Sequence, residues 1–230
     1  MKRALSSLFV AGSLVLAGVI PGLTQAQDAP QKPDVKAGEQ LFVHGDTSRG
    51  VLACMTCHGA AGNSTIPANP NLAGMPHEYI AKQLRDFQAH DKTPPVRTGA
   101  NGAPTIMSSI AANLKPQDIQ NLALYLSQQP LDWDKAGTAT KPATKDLGQR
   151  IWRAGIADRN VPACAACHSA NGKGLPAEFP RLAGQHPEYI LEQLKLFRSG
   201  DRQNEIMHDI ADRMNDQDLA AVADYAAGLR

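Results

Sequence analysis

The sequence predicts a mostly α-helical protein of two tandem domains. Three observations carry this: a domain-sized internal repeat, apolar residues at helical spacing, and the lack of any sustained alternating run that would mark a strand. "GEQLFVHGDTSRGVLACMTCHGAAGN" from Gly38 lines up with "GQRIWRAGIADRNVPACAACHSANGK" from Gly148, an offset of 110. "NPNLAGMPHEYIAKQLRDF" from Asn69 matches "FPRLAGQHPEYILEQLKLF" from Phe179 at the same offset. From Ile106, "IMSSIAANLKPQDIQNLALYL" matches "IMHDIADRMNDQDLAAVADYA" from Ile206, so the offset has fallen to 100. The first copy therefore carries ten extra residues, within His90 to Gly102, where two prolines and two glycines indicate a loop. A unit of about 100 residues is far longer than a solenoid repeat.

The start of the chain does not belong to the repeat. Met1-Lys2-Arg3 is basic, Ala4–Ile20 is an uncharged apolar run of 17 residues, and Pro21-Gly22 ends it before a small-x-small site at Thr24-Gln25-Ala26. That pattern predicts a cleaved secretory leader and an exported protein. The rival, an uncleaved anchor, would have to cross ~30 Å of hydrocarbon with a run at the bottom of the workable range. The expected organisation is a signal peptide over 1–26, a first domain over 27–129, a linker over 130–146 and a second domain over 147–230. The linker "QPLDWDKAGTATKPATKD" shows neither helical nor strand period. Without Lys2 and Arg3 the formal charge moves from +1 to −1, which gives no reason to expect nucleic acid as a partner.

Each element then follows in order. An opening helix carries Leu41 and Phe42, echoed by Ile151 and Trp152. A middle helix carries Ile80, Leu84 and Phe87, echoed by Ile190, Leu194 and Phe197, with Gly200 as the stop signal of the second. In the last helix Ile119, Leu122, Ala123 and Leu126 follow i, i+3, i+4, i+7, with Pro116 in the first turn. Leu219, Val222, Ala223 and Ala226 repeat that stripe, behind Asn215 as N-cap and Asp218 near the positive end of the dipole.

All four cysteines fall in two C-x-x-C pairs, Cys54/Cys57 and Cys164/Cys167, and each pair is followed directly by a histidine, His58 or His168. A zinc site would not require that histidine, and the repeat puts each pair in its own domain. A thioredoxin-like dithiol would need a βαβ setting. The third reading, C-x-x-C-H as a covalent haem c site, uses every cysteine of an exported chain. It also answers the composition. Aromatics are only 5% of residues, and two covalently attached haems (two iron centres) would fill and staple two small cores.

His58 and His168 are the expected proximal iron ligands. Of Met55, Met75 and Met107, only Met107 aligns with a methionine, Met207; Met55 aligns with Ala165 and Met75 with Gln185. The expected axial pairs are His58/Met107 and His168/Met207, which suits electron transfer. Met55 and Met214 read as core. Twelve residues after each histidine stands a proline, Pro70 or Pro180, whose carbonyl is the expected acceptor for the other imidazole N–H. Leu72 and Leu182 are expected against the ring. His44, His77, His90, His186 and His208 align with no histidine and read mostly as surface residues, with His44 and His90 as minor axial alternatives.

With these residues in view, "CMTCHGAAGN" with "NPNLAG", and "CAACHSANGKG" with "FPRLAGQHPEYILEQL", resemble the dihaem cytochrome c4 family, over nearly all of the chain beyond the leader. The resemblance implies two tandem class I cytochrome c domains, each wrapped around one covalently attached haem c. It implies first and last helices crossing beside the haem, with Gly38 and Phe42, or Gly148 and Trp152, on the near side and Tyr125 or Tyr225 on the far side. It further implies a periplasmic carrier with facing haems, delivering electrons to a membrane-bound terminal oxidase. Its partners would be redox proteins, upstream a quinol-oxidising complex or dehydrogenase, with contact at the membrane surface. Two departures stand out: Met75 where the second copy has Gln185, and the insertion before Met107. Besides the carrier, two readings stay open: an electron-accepting subunit of a dehydrogenase complex, and a dihaem enzyme such as a peroxidase or thiosulfate dehydrogenase.

Overall fold

A computed structural model describes residues 31–91, 93–177 and 179–230; the leader expected over 1–26 lies outside the described residues. Lys32–Arg230 forms one compact unit. Its helices are α1 (Val35–His44), α2 (Met55–His58), α3 (His77–Asp86), α4 (Ile106–Ala111) and α5 (Pro116–Ser127). The second half repeats them as α6 (Lys145–Ala154), α7 (Ala165–His168), α8 (Pro187–Ser199), α9 (Glu205–Asp212) and α10 (Asp216–Ala227). Among the described residues there is no sheet, only isolated bridges.

In each half the opening helix crosses the last one, α1 on α5 and α6 on α10, and the middle helix packs on the same partner. The crossing is close because glycine stands at its centre. A Cβ on Gly38 would lie 2.2 Å from the Asn121 carbonyl oxygen, and one on Gly148 would lie 2.3 Å from that of Ala221. Around the crossings, Leu41, Phe42, Ile119, Leu122 and Leu126 form one core, and Ile151, Trp152, Leu219, Val222 and Ala226 the other. Phe42 stacks against Tyr125 at 5.5 Å, and Trp152 against Tyr225 at 6.4 Å.

The last helices start alike. Asp118 and Asp218 each accept from the backbone three residues earlier, and each also takes an arginine at 2.6 Å, Arg49 or Arg159. One carboxylate thus caps a helix and ties down the loop that leads to the cysteines. Segment 130–146, expected as a plain linker, is pinned to the second half: Gly137 N–H donates to the Gly184 carbonyl, and Thr140 N–H and Lys141 N–H donate to the Asp224 carboxylate. A 3₁₀ turn at Pro142–Thr144 then runs straight into α6.

Candidate haem sites

Each C-x-x-C-H segment forms a single helical turn, α2 or α7, that starts at the first cysteine. The turn brings the two thiols and the imidazole of one motif to one spot. His58 and His168 are buried, and Nδ1 of each lies 3.0 Å from a proline carbonyl oxygen, Pro70 or Pro180. Burial lowers the pKa of both imidazoles, against the pull of those carbonyls. A neutral ring with Nδ1–H donated to the carbonyl leaves the Nε2 lone pair free to bind a metal. Burial likewise pushes the Cys54 and Cys164 thiols up to about 11.

In the second half these groups face a cavity of about 530 Å³, of cofactor size. Cys164, Cys167, His168, Leu182 and Met207 all line it. Met207 is the third residue of α9, and its N–H is held by the N-cap Asn204 side chain at 2.9 Å. In the first half Met107 is half-buried as the second residue of α4, behind a Thr105–Ser108 capping box; it does not line this cavity. Pro70 and Leu72 do line it, so the cavity reaches the boundary between the halves. Met55 packs against the first core, and Met75 and Met214 are buried within theirs.

The residues present fit a haem on an independent observation. Arg181 lines the cavity, donates to the Ala73 carbonyl at 2.7 Å, and keeps a buried Nε without a partner. Burial lowers its pKa to about 10. An apolar slot edged by an unsatisfied cationic donor suits a flat apolar group that carries acidic side groups.

Of the five remaining histidines, His44 and His90 are exposed, His77 and His208 half-buried. His186 departs from the surface expectation: it is buried, with Nε2 3.1 Å from the Ser64 carbonyl oxygen of the other half. Beside it, Gln185 clamps the backbone of Asn71, accepting from its N–H at 2.8 Å and donating to its carbonyl at 3.0 Å. Asn71 Nδ2 returns a bond to the Gly184 carbonyl. These boundary residues escape a motif search. At the offset of 110 Asn71 faces Arg181, Gln185 faces Met75 and His186 faces Pro76, so the only mark they leave in the sequence is a break in the repeat.

Two helical domains, each presenting a C-x-x-C-H turn with its imidazole oriented by a carbonyl, define a two-haem c-type cytochrome. The comparisons agree. The cytochrome c family matches residues 35–130 and again 146–229. A cytochrome c4 of Azotobacter vinelandii is 38% identical over 80% of this chain and 90% of its own length. A thiosulfate dehydrogenase electron acceptor of Stutzerimonas stutzeri is 37% identical over 84% of this chain and 86% of its own length. The crystal structure of reduced cytochrome c4 from Pseudomonas stutzeri superposes with a TM-score of 0.71 at 32% identity, covering 86% of this chain and all of that one. The chain belongs to the cytochrome c family, among the dihaem cytochromes c4. It is an electron-transfer protein with two covalently bound haem c groups.

Proposed function

We propose that this protein is a periplasmic electron carrier in which His58 with Met107, and His168 with Met207, are the axial ligands of the two irons. Cys54 and Cys57, and Cys164 and Cys167, are the attachment points. The bound iron supplies one-electron chemistry, ferrous to ferric and back. The chain's own residues do the rest. The Pro70 and Pro180 carbonyls fix the imidazole tautomers and raise their basicity, Leu72 and Leu182 would hold the apolar body of the haem, and Met107 and Met207 would supply the second ligand to each iron. What carries this reading is the second-half cavity, where His168, Met207 and both cysteines meet. Export is supported by the basic and apolar leader over 1–26.

The test is spectroscopy of the purified protein. Two haems per chain and a methionine–iron charge-transfer band are expected, with half of the band lost in Met107→Ala and half in Met207→Ala. A high-spin ferric signal in the unaltered protein would overturn the carrier in favour of an enzyme with an open iron.

A terminal oxidase is the acceptor we infer, from the resemblance to cytochrome c4. A second reading has its own support: the thiosulfate dehydrogenase electron acceptor of S. stutzeri aligns over most of both chains. In that reading a dehydrogenase reduces the protein directly. Stopped-flow reduction by a thiosulfate dehydrogenase, and oxidation by terminal-oxidase membranes, separate the two ends of the pathway.

A further inference from the structure

The boundary between the halves holds two kinds of contact. One is symmetric: Arg97 donates to Gln83 Oε1, Gln193 Oε1 and Tyr189 OH, and Arg202 donates to Gln193 Oε1, Gln83 Oε1 and Tyr79 OH. The other is one-sided. Gln185 is 2% exposed and the Asn71 it clamps is 1% exposed. Gln185 Oε1 accepts from Asn71 N–H at 2.8 Å and from His186 N–H at 3.1 Å, while Nε2 donates to the Asn71 carbonyl at 3.0 Å. The clamp is backed from behind. Gln185 N–H donates to the Leu182 carbonyl, and a Cβ on Gly137 would lie 2.2 Å from the Gln185 carbonyl oxygen, so segment 130–146 rests directly on it.

Asn71 N–H is one end of a peptide group whose other end serves the first site. A carbonyl and the N–H of the next residue share one conjugated plane. The carbonyl of the Pro70–Asn71 peptide lies 3.0 Å from His58 Nδ1 and accepts its proton. The bonds therefore run in series, from His58 Nδ1–H to the Pro70 oxygen and from Asn71 N–H to Gln185 Oε1. Bonds in such a chain polarise one another, by about 10–30% each in a low-dielectric interior. Drawing Asn71 N–H towards Gln185 puts more negative charge on the Pro70 oxygen, which then pulls harder on the His58 proton.

The second half has the same peptide without the last link. The Pro180 oxygen lies 3.0 Å from His168 Nδ1. The N–H of that peptide belongs to Arg181. At the offset of 110 the counterpart of Gln185 is Met75, which is buried and has no oxygen with which to accept.

We propose that Gln185 is a positioning residue for the first iron: it reaches across the boundary and strengthens His58 as a ligand through the Pro70–Asn71 peptide, and no matching residue acts on His168. A more basic imidazole favours the ferric state, so docking of the second half holds the potential of the first haem down. The inference rests on the His58/Met107 ligation proposed above. Failure of that ligation would appear as loss of the first methionine–iron band, whereas the outcomes below are read in protein that keeps both bands.

Magnetic resonance of the ferrous holoprotein, with isotope-labelled histidines, reads the two Nδ1–H protons. In the unaltered protein the His58 proton should lie downfield of the His168 proton, since only its acceptor is polarised. In Gln185→Met it should move upfield, towards the His168 position, while the His168 proton stays. Redox titration followed by the same spectra resolves the two haems, and the first potential should rise. The expected change is about threefold in the reduced-to-oxidised ratio at fixed potential, or about 28 mV at about 59 mV per tenfold. The sign separates this role from a structural one, because a boundary that merely loosened would admit water to the haem and lower its potential. The proposal is overturned if the His58 proton of Gln185→Met stays in place, if both histidine protons move alike, or if the first potential falls or does not move. Should Gln185→Met not take up both haems, the unaltered protein decides: a His58 proton level with that of His168, or upfield of it, sinks the idea.

Discussion

The two halves carry one plan, and they differ most where they face each other. Inside each half the equivalents are nearly atom for atom: Gly38 and Gly148 at the helix crossing, Arg49–Asp118 and Arg159–Asp218 at the start of the last helix, His58–Pro70 and His168–Pro180 at the iron side. At the boundary the plan is kept in one place and broken in another. The Arg97/Arg202 cluster is symmetric. The adjoining clamp is one-sided: Gln185 holds the backbone of Asn71, while Met75, its counterpart, is an apolar core residue. Inside each half, where contacts stay within one copy, the same sequence pattern suffices twice. Where they touch, two copies of one polar group would compete for one place, and the pair diverges.

The largest expected effect tests the shared part of this comparison. Gly38→Ala and Gly148→Ala should each destabilise their own half by about 3 kcal/mol, since the added Cβ meets backbone that cannot move away. Calorimetry should show similar losses for the two variants. A Gly148→Ala protein as stable as the wild type would mean that the crossings are not equivalent.

Gln185→Met imposes the first half's residue on the second and breaks the one-sided clamp. The buried Asn71 N–H and carbonyl lose both bonds, so the docked state should weaken by about 2 kcal/mol, mainly the cost of leaving them unsatisfied. Limited proteolysis within 130–146 reads the change. An unaltered cleavage rate would show that Asn71 finds other partners.

Within the half-domains the helices, their caps and the four cysteines were legible, because each depends on residues a few positions apart and appears twice. Phe42, Trp152, Asn215 and Gly200 play the structural parts that their periodicity and chemistry indicate. The boundary was not legible. His186 meets Ser64 across 122 positions, and its lack of a counterpart in the first copy, which reads as a sign of a surface residue, is here a mark of contact with the other half. Arg97 and Arg202 were hidden by the shift from offset 110 to 100, since the insertion removes them from register. A pairwise repeat search sees what is duplicated in step and misses what is made once or displaced.

A smaller effect separates the two opening helices. Trp152 donates Nε1–H to the Ala170 carbonyl at 3.1 Å, a bond Phe42 cannot make. Trp152→Phe should cost the second half about 1 kcal/mol beyond any change in packing. Thermal melts of Trp152→Phe against Trp152→Leu distinguish the lost bond from lost ring volume.

The smallest effect is acid-dependent and confined to the first half. Asp46 accepts from Ser48 and Arg49, and these hold its carboxyl down to about 2 from 3.8. Ile156 stands at the equivalent place and cannot titrate. A carboxyl lowered on folding adds stability above its unfolded pKa and loses it as pH falls through the folded value, here between about 4 and about 2. The group is exposed, so solvent and salt screen the contribution and it stays small. Asp46→Asn should therefore lower the melting temperature slightly at pH 5, and the gap to wild type should close towards pH 2. A gap that persists at pH 2 would assign the effect to the geometry of the Asp46–Val51 turn rather than to its charge.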